Sequence, residues 1–175
     1  MPTSLQAVPV VYLDFDGVLH PDEVYLQRGQ GVVLRSQWGH LFMFAEKLEA
    51  ALAPYPAVRI VLSTSWVPTL GFDQSKARLP AGLQARIIGA TYHSSMDAPT
   101  PWGGPSIDWR GMARHQQILR HVRRHGVQDW IAIDDDVDDW PVSTRHRVIA
   151  CDSDLGLGEI AAHAALLAAL QEIGK

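Results

Sequence analysis

The chain has 175 residues, enough to bury a core, and its 47% hydrophobic and 19% charged residues exclude a disordered polymer. Its net charge of −4 argues against unspecific binding to a polyanion but leaves room for a local basic groove. Cys151 is the single cysteine, no apolar run reaches the roughly 20 residues that span a bilayer, and Met1 to Ala7 lack the features of a leader, so one soluble, cytoplasmic domain over residues 1–175 is expected, with no membrane partner.

The first apolar run, Val8 to Leu13, is short and β-branched and reads as a buried strand. It ends in Asp14-Phe15-Asp16-Gly17-Val18-Leu19. Two carboxylates two residues apart, just past such a strand, can reach one site, and Gly17 lets the chain turn away sharply. A calcium loop fails on spacing, because Leu19 and Tyr25 stand where an EF-hand needs Gly and Glu. A solvated turn is the other reading. Leu41, Phe44, Ala45, Leu48, Ala51 and Leu52 then recur at helical spacing until Pro54 and Pro56 stop the helix.

A second buried strand, Val58 to Leu62, ends in Ser63-Thr64-Ser65-Trp66. Hydroxyls and unpaired N–H groups at such a place suit a phosphate, although Ser and Thr also cap helices. A weaker strand follows at Arg86 to Ala90. The rest of the stretch from Trp66 to Arg114 is rich in Pro and Gly and reads as loops, not as a folded cap. The site should therefore be open to large substrates. Trp66, Trp102 and Trp109 either stack a base or pack these loops onto the core.

Ile118 and Val122 mark one face of a helix from about Met112 to His125, which Gly126 stops. Its later residues Arg120, His121, Arg123, Arg124 and His125 form a basic run that either contacts nucleic acid or is simply solvated. The fourth strand, Trp130 to Ile133, runs into Asp134-Asp135-Asp136, with Asp138 and Asp139 close behind. Adjacent carboxylates repel one another and are tolerable near a cation or in open solvent. A fifth strand at Arg147 to Ala150 and a helix from about Gly158 to Glu172 complete the chain.

Strands alternating with helices predict an α/β fold, a three-layer α/β/α sandwich on a mainly parallel five-stranded, Rossmann-like sheet with a minimal cap. Ligands in such folds bind at the carboxyl ends of the strands. The two acidic clusters meet there as a hard, oxygen-rich site that suits Mg²⁺ better than zinc.

These strand ends carry a resemblance. Asp14-Phe15-Asp16-Gly17-Val18-Leu19 resembles the first motif of the haloacid dehalogenase (HAD) superfamily, Ile60-Val61-Leu62-Ser63-Thr64 the second, and Ile131-Ala132-Ile133-Asp134-Asp135 the fourth. Leu62 to Trp66, the spacing from Arg114 to Ile118, Ile133 to Asp136 and Gly156-Leu157 are similar to the HAD domains of, or related to, bacterial Swiss army knife RNA-repair proteins. The resemblance implies a Mg²⁺-dependent phosphohydrolase. Asp14 would be the nucleophile, and Asp16 the general acid and base that also gives its carbonyl to the metal. Asp135, with Asp134 beside it, would be the remaining metal ligand. Thr64, with Ser63 as its competitor and Ser65 and Gly17 nearby, would bind phosphate. The third motif needs a cation, and Arg110 and Arg114 both qualify, with Arg114 preferred; the superfamily more often has Lys there. The implied substrate is a phosphorylated small molecule, a nucleotide or a nucleic-acid end. A catalytically silent phosphate-binding module is a further alternative.

Overall fold

The computed structural model describes residues 7–174; the chain start up to Gln6, part of the segment judged to lack leader features, lies outside the described residues. Five strands form the central sheet: β1 (Val10–Leu13), β4 (Arg59–Leu62), β5 (Ile87–Ala90), β6 (Trp130–Asp134) and β7 (Val148–Ala150). Their order is β5-β4-β1-β6-β7, and every pairing is parallel. This is the expected sandwich, and β1 is its centre.

Alternation along each strand divides the core. Val11, Leu13, Ile60, Leu62, Ile131 and Ile133 face one layer, built by α1 (Ala45–Leu52) and α6 (Ile160–Ile173). Val10, Tyr12, Val61 and Ala132 face the other, where Ile118 of α5 (Arg114–His125) packs. Burying side chains of this size stabilises by about 2 kcal/mol each relative to leaving them in water. Gly126 ends α5 in the left-handed conformation, as its position in the sequence suggests.

Three local readings of the sequence need correction. The helix read from Leu41 begins only at Ala45, because Phe42 adopts φ 61° and breaks the spiral; the N–H of Phe44 donates to the Leu19 carbonyl instead. Part of the stretch read as loops is helical, as α2 (Trp66–Leu70), α3 (Phe72–Lys76) and α4 (Ala81–Gln84). Third, β2 (Val24–Gln27) and β3 (Gly31–Leu34) form an antiparallel hairpin where the sequence was read as connection and helix alone. Gly29 and Gly31 turn it with φ of 81° and 77°. No described helix is long and apolar enough to cross a membrane.

Candidate active site

β1, β4 and β6 deliver their last residues to one place. The β1 backbone is held on both sides there: the N–H of Asp14 donates to Ile133, and the N–H of Ser63 donates to Leu13. Asp14 is therefore fixed at the centre of the sheet, 3% exposed, with Asp134 wholly buried beside it. Oxygens of Asp14, Asp134 and Asp135 lie within 4.8 Å of one another. Gly17 makes this approach possible. A Cβ there would lie 2.2 Å from Oδ2 of Asp135, and its φ of +67° lies in the left-handed region that favours glycine.

Arg114 enters this cluster from the start of α5. Its Nη2 donates to Oδ2 of Asp14 at 2.9 Å, and its Nε lies 3.2 Å from Oδ2 of Asp134. Nη1 reaches Oε1 of Gln117 at 3.3 Å, and Gln117 is anchored by donating to the Trp109 and Met112 carbonyls. Burial alone would lower the Arg114 guanidinium, but Asp14 and Asp134 outweigh it and hold it above its ordinary value. Arg110, the other cation considered, is exposed and donates to the Pro68 carbonyl at 3.1 Å instead.

The cluster is under-neutralised. Burial pushes the Asp14 carboxyl up to about 7; Arg114 and the Phe15 N–H pull against this, while Asp16 and Asp135 add to it. Asp134 is raised well above the usual range by burial and then by Asp14, and Asp135 is raised by burial. Ionised together, the three carboxylates against one guanidinium would leave two negative charges, which a divalent cation would balance. The donor set is carboxylate oxygen only, which fits a hard ion such as Mg²⁺.

Asp16 stands apart from this cluster and is half-buried. Its Oδ1 accepts the indole N–H of Trp66 at 2.8 Å and lies 3.0 Å from Nε2 of His20. The Phe42 N–H donates to Nδ1 of His20 at 3.2 Å, so the proton sits on Nε2 and is donated to Asp16. Rings of Phe15, Phe42, Trp66 and His20 pack edge to face around this clamp. Neither His20 nor the Trp66 indole N–H was singled out for this role from sequence. The Asp-x-x-x-His spacing from Asp16 to His20 was the available signal.

Of the three hydroxyls after β4, Ser63 and Thr64 are buried and Ser65 is exposed. The Ser63 hydroxyl has no partner among the described residues, and Oγ1 of Thr64 accepts the Trp66 N–H at 3.4 Å. Ser65 lines two adjoining cavities. One, of about 300 Å³, holds Arg114, Arg110, Trp109 and Asp136; the other, of about 130 Å³, lies between Asp16 and the hairpin residues Val24, Leu26 and Val32. The hairpin of β2 and β3 thus stands beside Asp16. Trp66 and Trp109 are buried and pack, whereas Trp102 is 95% exposed on a tongue closed by a bridge between Pro99 and Pro105.

No curated protein and no solved structure matches the chain. One family does, described as the HAD domain in Swiss Army Knife RNA repair proteins, over residues 10–162. Such domains are HAD-type phosphohydrolases in general and generally use Mg²⁺. The parallel sheet and this match over most of its length agree: the chain belongs to the HAD superfamily, within the family of HAD domains in Swiss Army Knife RNA repair proteins.

Proposed function

We propose that the protein hydrolyses phosphate monoesters through a covalent intermediate on Asp14, with Asp16 moving the protons. The observation that carries this is the placement of Asp14 at the sheet centre within a cluster of carboxylates that one guanidinium cannot neutralise.

Asp14, Asp134 and Asp135 would hold Mg²⁺, with the Asp16 carbonyl as a further donor. When bound, the ion supplies positive charge that lets an anionic nucleophile meet an anionic phosphate. Asp14 attacks phosphorus, and the ester P–O bond breaks. Asp16 gives its proton to the departing oxygen. It then takes a proton from the water that attacks the acyl phosphate, releasing inorganic phosphate and restoring Asp14. Each Asp14 oxygen accepts one hydrogen bond, from the Phe15 N–H and from Arg114, and an ionised carboxylate keeps further lone pairs for attack. Arg114 binds the transferring group while holding Asp14 and Asp134 in place. The hydroxyls of Ser63, Thr64 and Ser65 donate to phosphate oxygens, and Ser65 does so from the open side.

The test is hydrolysis of an aryl phosphate with Mg²⁺, with chelator, and by Asp14→Asn. Turnover that needs both the ion and Asp14 is the expected result. Turnover that survives Asp14→Asn sinks the mechanism. A phosphorylated ligand that binds Asp14→Asn without any turnover by the parent protein would instead support the phosphate-binding module.

A further inference from the structure

A cleft of about 670 Å³ lies beside the site described above, between the edge strand β5, the segment after it and the second half of α5. This size falls within the usual range for ligand sites. Its apolar part includes Val61, Phe72, Ala90 and Tyr92. Its charged wall is Arg120 and Arg124, with His121 and His125 beside them. Neither arginine forms an ion pair among the described residues.

Several observations point to an anion here. His121 is pushed down to about 4, by burial first and then by His125, Arg124 and Arg120, the same groups that form the charged wall. Compensation of the helix dipole does not account for Arg120, because Arg123, Arg124 and His125 already occupy the last turn. Thr91 also lines the cleft.

Charge is also divided across the molecule. The acidic runs Asp135 to Asp139 and Asp152 to Asp154 follow β6 and β7, toward one edge of the sheet; the cleft lies on β5, at the other. It lies next to the Arg114 cavity. Val67 lines the cleft while its neighbours Pro68 and Thr69 line the Arg114 cavity, and Arg110 of that cavity lies over the Tyr92 ring of the cleft at 6.0 Å. Along α5, Arg120 is six residues beyond Arg114, about 9 Å at the helical rise.

We infer that this cleft binds a nucleoside phosphate, its phosphate on Arg120 and Arg124 and its base against the apolar floor. The ligand is either a free nucleotide or a unit of a single strand lying along α5. This binding goes beyond the hydrolytic reading and stands independently of it.

The experiment is fluorescence anisotropy with a labelled single-stranded RNA of about 12 nucleotides, a length typical of such sites. The RNA carries no terminal phosphate monoester, so hydrolysis at Asp14 can neither consume nor report it. Arg120→Glu/Arg124→Glu is expected to weaken binding by about tenfold or more, and to flatten the salt dependence of log K by about 1.4 for two lost phosphate contacts. Arg123→Glu, on the same helix but not lining the cleft, should leave affinity within about twofold. In the Asp14→Asn protein, which cannot turn AMP over, AMP that displaces the RNA assigns the cleft to a mononucleotide; displacement only by longer strands assigns it to a strand. An undetectable affinity of the parent protein, an unaltered affinity in the double variant, or an equal loss in Arg123→Glu would overturn the inference.

Discussion

Asp16 shows how one carboxylate is given a task that its neighbour two residues away lacks. Asp14 is enclosed by the metal-type cluster and Arg114, whereas Asp16 is held by two ring N–H donors, the Trp66 indole and His20. The clamp engages Oδ1, and Asp16 also lines the cavity beside the hairpin. Trp66→Phe keeps the ring and deletes the donor. We expect it to slow hydrolysis of alkyl phosphates roughly tenfold, while an aryl phosphate with a good leaving group, which needs little proton transfer, changes much less. Equal losses on both substrates would show that the indole serves packing alone. Gly17 acts by having no side chain. Gly17→Ala should drive Asp135 away and strain the turn, so turnover and the Mg²⁺-induced rise in melting temperature both fall sharply, with the far-UV circular dichroism retained. The residue scale is also where the sequence was least decisive. Arg110 lies four residues before α5 and Arg114 opens it; only the approach of the α5 start to β1 and β6 separates a guanidinium on Asp14 from one on the Pro68 carbonyl.

At the scale of the element, α5 spans two environments. Its first turn supplies Arg114, its middle packs Ile118 into the core, and its last turns line the cleft. His121 lies between them, its Nδ1 2.9 Å from the Tyr12 hydroxyl. The ring is held neutral because burial, then His125 and the arginines, push it down to about 4 against an ordinary value of about 6.5. The unfolded chain therefore binds more protons between these values. Stability from this group is full above about pH 6.5 and is lost as the pH falls toward about 4, by at most roughly 3 kcal/mol. Denaturant titrations across that range should show a slope that flattens in His121→Asn. The strands were legible because their apolar runs are continuous and end in charge: Val10–Leu13 into Asp14, and Trp130–Ile133 into Asp134. The hairpin was not read, although Val24 to Leu26 and Val32 to Leu34 flank a Gly-containing turn, because a two-stranded ribbon is short and its alternation spans only a few residues. The break at Phe42 was invisible for another reason. Its left-handed backbone is maintained by long-range partners, His20 and the rings of Phe15 and Trp66, which no local pattern announces.

The whole molecule gathers its chemistry from separate stretches of chain. Asp14, Ser63, Thr64, Arg114 and Asp134 sit on different segments, and Asp14 and Arg114 are 100 residues apart. They meet because β1 is paired on both sides, to β4 and to β6, and those neighbours come from far along the sequence. This arrangement has a kinetic consequence. Helices α1, α5 and α6 close through local contacts, while the centre of a parallel sheet must wait for long loops to close. On dilution from denaturant, the helical signal should return first and turnover last, with a lag that reports the insertion of β1. Turnover is thus a reporter of the final long-range event of folding, and simultaneous recovery of the two signals would show that the sheet and its helices assemble in one step.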